Sequence, residues 1–152
     1  MQTDNRNYPS RPIVGVGGIV IWNECALLIR RGKAPLEGAW SIPGGLLEIG
    51  ETLHDGVARE LAEETGLKVR VIDLVEVFEK VTLDDAGKVQ YHFVILDYLC
   101  ENLGGTAKPA SDASDLAWVR EADLPNFALT AGAASVIQQA FKKSRELRLG
   151  PL

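Results

Sequence analysis

The chain has 152 residues, 46% of them hydrophobic, which suits one domain with a proper core and is too short for two. Its net charge of -5 and the lack of any long Lys/Arg run argue against a nucleic-acid polymer as the main partner, because such binding rests on neutralising phosphates. No apolar run approaches the roughly 18 residues that span a bilayer, and the opening MQTDNRNYPSRP lacks the apolar core of a secretion signal, so a cytoplasmic protein with no membrane partner is expected.

In chain order, residues 1–10 are polar and aperiodic and read as a flexible N-terminal tail, 11–143 as a single domain, and 144–152 as a C-terminal tail. PIVGVGGIVIW and CALLIRR are β-rich runs joined by a turn at Asn23 and Glu24, a hairpin whose glycines leave room for something close by. Cys25 and Cys100 lie in apolar strand contexts without CxxC or His-rich spacing, which predicts reduced, buried thiols and neither a disulfide nor a zinc site. GKAPLEGAWSIPGG is too rich in Pro and Gly for a long helix and reads as a loop with a short strand from Trp40 to Ile42. From Thr52 to Thr65 the pattern is helical, with Leu53, Val57 and Leu61 on one stripe and Gly66 as the stop. KVRVIDLVEVFEKVTL and KVQYHFVILDYLC are long β-like runs hinged at DDAG. The loop ENLGGTAKPASDASD leads to a short strand, LAWV, and a last helix is predicted from about Thr130 to Lys143 with Ala133, Val136, Ile137 and Ala140 inward. Elements in this order predict an α/β sandwich around a mixed sheet.

The helical stretch is crowded with like charge. Residues three and four apart on a helix are neighbours, so Glu60, Glu63 and Glu64 project from one face, with Arg59 one turn before Glu63. Three neighbouring carboxylates repel, and a hard cation taking oxygen ligands, such as magnesium, would turn that repulsion into binding. Arg59 can hold one carboxylate by a forked hydrogen bond and leave the others for the metal. Glu51 stands just before the helix, and the Gly44-Gly45 turn lets a backbone carbonyl approach the same place. A solvated surface face is the usual reading of an acidic helix. The spacing here is more specific: Gly45, five residues, Glu51, seven residues, then Arg59, Glu60, Leu61, any residue, Glu63, Glu64, any residue, Gly66 and Leu67. At average residue frequencies this pattern arises by chance at roughly one in a billion per start site.

These residues resemble the Nudix box, the signature of the Nudix hydrolases, with no departure at any defined position, and the likeness extends from about Pro12 to Phe141. The resemblance implies a three-layer α/β/α Nudix fold and hydrolysis of a nucleoside diphosphate linked to a group X, with Mg2+ or Mn2+, two or more ions being held once substrate is bound. It implies Glu60, Glu63 and Glu64 as metal ligands together with the Gly45 carbonyl, Arg59 orienting the carboxylates, and Glu51 stabilising the box or helping a metal. The chemistry agrees, since metals bridging a diphosphate neutralise the charge that repels a nucleophile and activate a water whose proton a glutamate can accept. Glu64 or Glu60 is the first choice for that base, ahead of Asp112 or Asp115 in SDASDLAWV.

The substrate's other features are less readable. Of Arg30 and Arg31, alternation sends one inward, where it could clamp a diphosphate. His92, on a mainly apolar strand face, could contact substrate but is more often a satisfied core group, and His54 reads as exposed. Trp22, Trp40 and Trp118 read as structural, as do Phe127 and Leu129. Segments that mark coenzyme A or NADH subfamilies are absent, and Thr82, Leu83 and Asp84 stand where some relatives carry a diagnostic proline or tyrosine. The arrangement looks most like short ADP-ribose or nucleoside-diphosphate-sugar pyrophosphatases. The alternatives are a triphosphate pyrophosphatase of the 8-oxo-dGTP type and a non-catalytic nucleotide sensor, although sensors generally lose box carboxylates that this chain keeps. The apolar strands could also support a homodimer.

Overall fold

The computed structural model describes residues 6–33 and 36–148. Strands β1 (Ile13–Trp22) and β2 (Cys25–Arg31) form the expected hairpin, with Trp22 opposite Cys25 across a two-residue turn. Asn23 and Glu24 both take positive φ, 50° and 62°, the mirror-image turn whose twist matches that of the flanking strands. Strand β3 (Trp40–Ser41) pairs with β2, and a strand that local sequence did not reveal, β4 (Gly44–Leu46), runs antiparallel to β1. Its Gly-Gly start reads as a turn; the ladder to β1 overrides that preference.

Helix α1 (Leu53–Thr65) matches its predicted span. Thr52 caps it by accepting a hydrogen bond from the Asp55 N–H at 3.1 Å, and Gly66 ends it in the left-handed region, its N–H donating to Ala62. Strands β5 (Leu67–Leu83) and β6 (Val89–Gly105) form a long twisted ribbon whose turn is held by Asp84, which accepts from the N–H groups of Ala86 and Lys88. Strand β6 runs past the predicted end at Cys100, because Asn102, Gly104 and Gly105 pair with Val69, Lys68 and Leu67. Strand β7 (Ala113–Arg120) is longer than LAWV and pairs along most of β2; a 3-10 helix (Glu121–Asn126) and α2 (Ala133–Arg148) complete the chain. The last helix thus continues past Lys143, with Arg145 anchored to Glu121 at 2.9 Å. The N-terminal segment is held at Tyr8, whose N–H donates to Gln90 and whose hydroxyl donates to Asp84.

The sheet is mixed, in the order β3-β2-β1-β6-β5, with β4 beside β1, β7 beside β2, and β1 and β6 parallel. Alternation along β1 divides the core between the two helices. Val16 and Val20 face α1, packing with Val57, Leu61, Tyr98 and Cys100. Ile19 faces α2, packing with Leu28, Leu99, Val136, Ile137 and Ala140. The result is the expected three-layer α/β/α sandwich, with the predicted inner stripe of α2 buried and that of α1 buried at Val57 and Leu61 but only partly at Leu53, in its first turn. Cys100 is buried and free, its thiol pushed up to about 12 by desolvation; Cys25 is free and only partly buried, against the expectation for it. Trp22 is half exposed and packs on Trp118, while Trp40 meets Phe127 edge to face at 5.3 Å.

The first turn of α1 depends on one side-chain cap. Thr52→Ala is therefore expected to lower the unfolding free energy by about 1 kcal/mol. A urea titration with an unshifted midpoint would show that the cap contributes nothing.

Candidate active site

Helix α1 is held against β1 by Val57 and Leu61, both fully buried, and this fixes which way its charged face points. Burying an aliphatic side chain of this size contributes roughly 1.5–3 kcal/mol, enough to hold the helix against the repulsion among its carboxylates. Arg59 is the centre of that face. Its Nε and one Nη form a fork on Glu51, at 2.7 and 2.9 Å. The same Nη donates to the Leu46 carbonyl at 2.9 Å, and the other reaches Glu60 at 3.0 Å and both oxygens of Glu63 at 3.3 Å. The forked partner expected from the sequence is thus Glu51, but Arg59 also gathers Glu60 and Glu63. Glu51 in turn accepts from the Glu48 N–H at 2.8 Å, which ties the loop before the helix to the same guanidinium.

Glu64 stands apart from this fan. It is almost wholly buried, at 4% exposure, and accepts the Gly44 N–H at 2.7 Å. Burial pushes its carboxyl up to about 7, with the Gly44 hydrogen bond and Arg31 pulling the other way and Glu60 and Asp112 adding to the rise. Glu60 is also raised, chiefly by burial, and Glu51 is lowered by its bond to Arg59. Gly45 lies flat against Glu60: a side chain there would overlap the Glu60 carboxylate, so the glycine is a spatial requirement of the site.

Arg31 is half buried and within electrostatic reach of Glu64, whereas Arg30 is exposed, with its Nε directed at the Gly38 carbonyl 3.4 Å away. Alternation therefore turns Arg31 towards the box and Arg30 away. Asp112 approaches Glu64 but is paired with Lys33 at 2.9 Å, and its loop is tied to the helix end by bonds from the Lys108 and Ala110 N–H groups to the Thr65 and Glu64 carbonyls. Asp115 lies opposite Arg30 on the exposed edge, where its carboxylate accepts the Leu116 N–H. His92 is half buried in register with Val81, short of the part of β6 that lies beside the box, and no described hydrogen bond or ion pair joins it to these residues. His54 is exposed, its ring edge-on to Tyr98.

Among the described residues no three His, Cys, Asp or Glu side chains converge as a ready-made ligand set. The reason is visible in the bonds: Arg59 has drawn Glu51, Glu60 and Glu63 to itself, and Glu64 is turned to Gly44. The donor set still fits a hard divalent ion, because it is all oxygen and one guanidinium cannot neutralise Glu48, Glu51, Glu60 and Glu63 together. One residue escaped the sequence reading. Asp97 is 7% exposed in the middle of β6, and its only signal was a carboxylate interrupting the apolar run FVILDYLC.

Residues 11–140 match the family described as NUDIX domain. An ADP-ribose pyrophosphatase of Methanocaldococcus jannaschii is 34% identical over 117 residues, covering 77% of this chain and 67% of that protein. A Mycobacterium tuberculosis protein named as a candidate 8-oxo-dGTP diphosphatase is 34% identical over 111 residues, covering 72% of this chain and 74% of the other. The crystal structure of a NUDIX hydrolase from Nitrosomonas europaea shares the fold with a TM-score of 0.74 at 25% identity, over 91% of this chain and 74% of that one.

An acid with its folded pKa raised from 4.5 to about 7 keeps its proton longer in the folded state than in the unfolded chain. Its protonation favours folding at low pH, and that contribution is lost as the pH rises through about 7. Metal-free protein is expected to lose Glu64's share of stability over this window and to regain stability with Mg2+ above it. Glu64→Gln should flatten the slope and shrink the Mg2+ gain. Thermal unfolding across pH, with EDTA and then with Mg2+, checks this, and an unaltered slope in the variant would exclude Glu64 as the titrating group.

Proposed function

The chain belongs to the Nudix hydrolase family, whose members act on small nucleotide substrates and generally use divalent metal ions, and from that premise we propose that it hydrolyses the diphosphate of ADP-ribose or a related nucleotide sugar. The observation that carries the reading is the intact carboxylate face of α1, ordered by one arginine and complete at every box position. The likeness to an ADP-ribose pyrophosphatase over most of both chains supports this substrate. The equal identity to a protein named for 8-oxo-dGTP supports the second reading, a triphosphate pyrophosphatase.

Glu60, Glu63 and Glu64, with the Gly45 carbonyl, would hold Mg2+ or Mn2+. Bound there, the metal supplies neutralisation of the diphosphate oxygens and acidification of a water. Arg59 and Glu51 are positioning residues: the fork between them sets the helix against the loop, while Glu63, whose side chain is half exposed, is held by longer 3.3 Å contacts to the same guanidinium. Arg31 supplies positive charge beside Glu64 and opposes the repulsion between the box and a diphosphate. Glu64 is the base that takes the proton from water. The water oxygen then bonds to one phosphorus as the bridging P–O bond breaks and the bridge oxygen leaves with the other phosphate. Glu64 lies outside the Arg59 fan and keeps its carboxylate for that task, whereas Glu60 is held by the guanidinium. Asp112 is less suited, since Lys33 holds it at 2.9 Å.

Glu63→Gln and Glu64→Gln are each expected to lower turnover at saturating Mg2+ by at least about a hundredfold. Near-wild-type rates in both would sink the site assignment. Product chromatography separates the substrate readings: AMP and a sugar phosphate from ADP-ribose, or a nucleoside monophosphate and pyrophosphate from a triphosphate. Gly45→Ala should leave the fold intact but displace Glu60, raising the Mg2+ concentration for half-maximal activity about tenfold; an unchanged metal requirement would remove Gly45 and Glu60 from the metal site.

A further inference from the structure

On the other face of the sheet from the box lies a carboxylate that the chain itself leaves without a partner. Asp97 and Leu99 are two apart on β6 and share a face, and Leu99 belongs to the core under α2. Gly17, in register with Asp97, shares its face with Ile19 of that same core. A Cβ on Gly17 would stand 2.5 Å from an Asp97 oxygen, so the glycine keeps that space clear for the carboxylate. Among the described residues Asp97 has neither a hydrogen bond nor an ion pair, and its cross-strand neighbour is Glu76, another acid. Burial and Glu76 push it up to about 6, as befits a carboxylate with no donor facing it.

Among the described residues no wholly buried side-chain oxygen lacks a hydrogen-bond partner, so the Asp97 carboxylate, unpaired within the chain, keeps an edge open to solvent where a donor from outside the chain can reach it. The surroundings restrict what that donor is. Ile42, whose Cδ1 lies 3.2 Å from the same Gly17 point, stands beside the carboxylate and belongs to the partly buried apolar edge of the α2-side core, a flank of the kind a flat ring packs on. Asp97 and Glu76 together repel phosphate. The way to the box is short, because the Pro43 carbonyl lies 3.4 Å from the same Gly17 point, and the next residue, Gly44, donates to Glu64. A nucleotide with its diphosphate at the box would cross the Pro43-Gly44 peptide to bring its base to Asp97.

We propose that Asp97 is a specificity-determining residue that accepts a hydrogen bond from the exocyclic amino group of the substrate's nucleobase. This rests on the nucleotide-hydrolase reading above but not on which nucleotide is cleaved. The test compares kcat/KM within pairs that differ by the amino group: ADP-ribose and its hypoxanthine analogue, dGTP and dITP, and CDP- and UDP-sugars. In at least one pair the wild type should favour the amino member by tenfold or more, since the oxo analogue leaves Asp97 unpaired or facing another acceptor. Asp97→Asn, which brings an amide donor to the same place, should cut that ratio at least tenfold while far-UV dichroism stays unchanged. Gly17→Ala, which crowds the carboxylate, should move the ratio the same way. A purely structural Asp97 would lower both members equally, so a ratio unmoved in both variants overturns the proposal. So does a wild type that fails to discriminate, or fails to turn over, in every pair. Inactivity on ADP-ribose alone, with discrimination in another pair, overturns the substrate reading and leaves this one standing.

Discussion

The carboxylate face depends on one guanidinium. Arg59 donates to Glu51, Glu60, Glu63 and the Leu46 carbonyl, and its acidity is further suppressed by these partners. Without it, the acidic groups of one helix and the loop before it would meet with nothing between them, and Coulomb repulsion at such short range is worth kilocalories. A lysine could not replace it, because a point charge cannot fork on one carboxylate and reach two others at the same time. The guanidinium is itself mostly covered, 23% exposed, so these bonds are screened less than ordinary surface pairs.

Strand β1 turns that local arrangement into a site. It is central in the sheet, pairing with β2, β4 and β6, and each of its faces carries the core of one helix. Its glycines bring neighbouring elements close: a side chain at Gly18 would press on Leu61 of α1, and one at Gly17 on Asp97. The box is therefore fixed in height above the sheet by packing, while its charges are fixed in direction by Arg59.

What the sequence made legible follows from contiguity. The box chemistry lies in one uninterrupted stretch, so spacing alone identified Arg59, Glu60, Glu63 and Glu64 and the extent of α1. The hairpin turns were readable for the same local reason. Strand β4 and the end of β6 were not, since Gly44, Gly45, Gly104 and Gly105 carry turn chemistry and are strand only because distant partners pair with them. The hold on Tyr8 depends on Asp84 and Gln90, far along the chain, and left no local trace. Asp97 was visible as a lone acid in an apolar run, but its lack of a partner is a property of the folded arrangement.

The same distinction explains why the reaction was easier to read than the substrate. Cleaving a diphosphate with a divalent ion needs carboxylates at helical spacing, a requirement that one short segment can meet. Recognition of the group beyond the phosphates, as proposed here, rests on Asp97, whose cross-strand neighbours Gly17 and Glu76 only the sheet brings to it. The box can stay intact while Asp97 changes, because Asp97 shares its sheet face with Leu99 of the α2-side core, whereas α1 packs on the other face. On the proposed reading the two faces of β1 divide the work, with phosphate chemistry on the α1 side and discrimination on the α2 side, so that the second can change without disturbing the first.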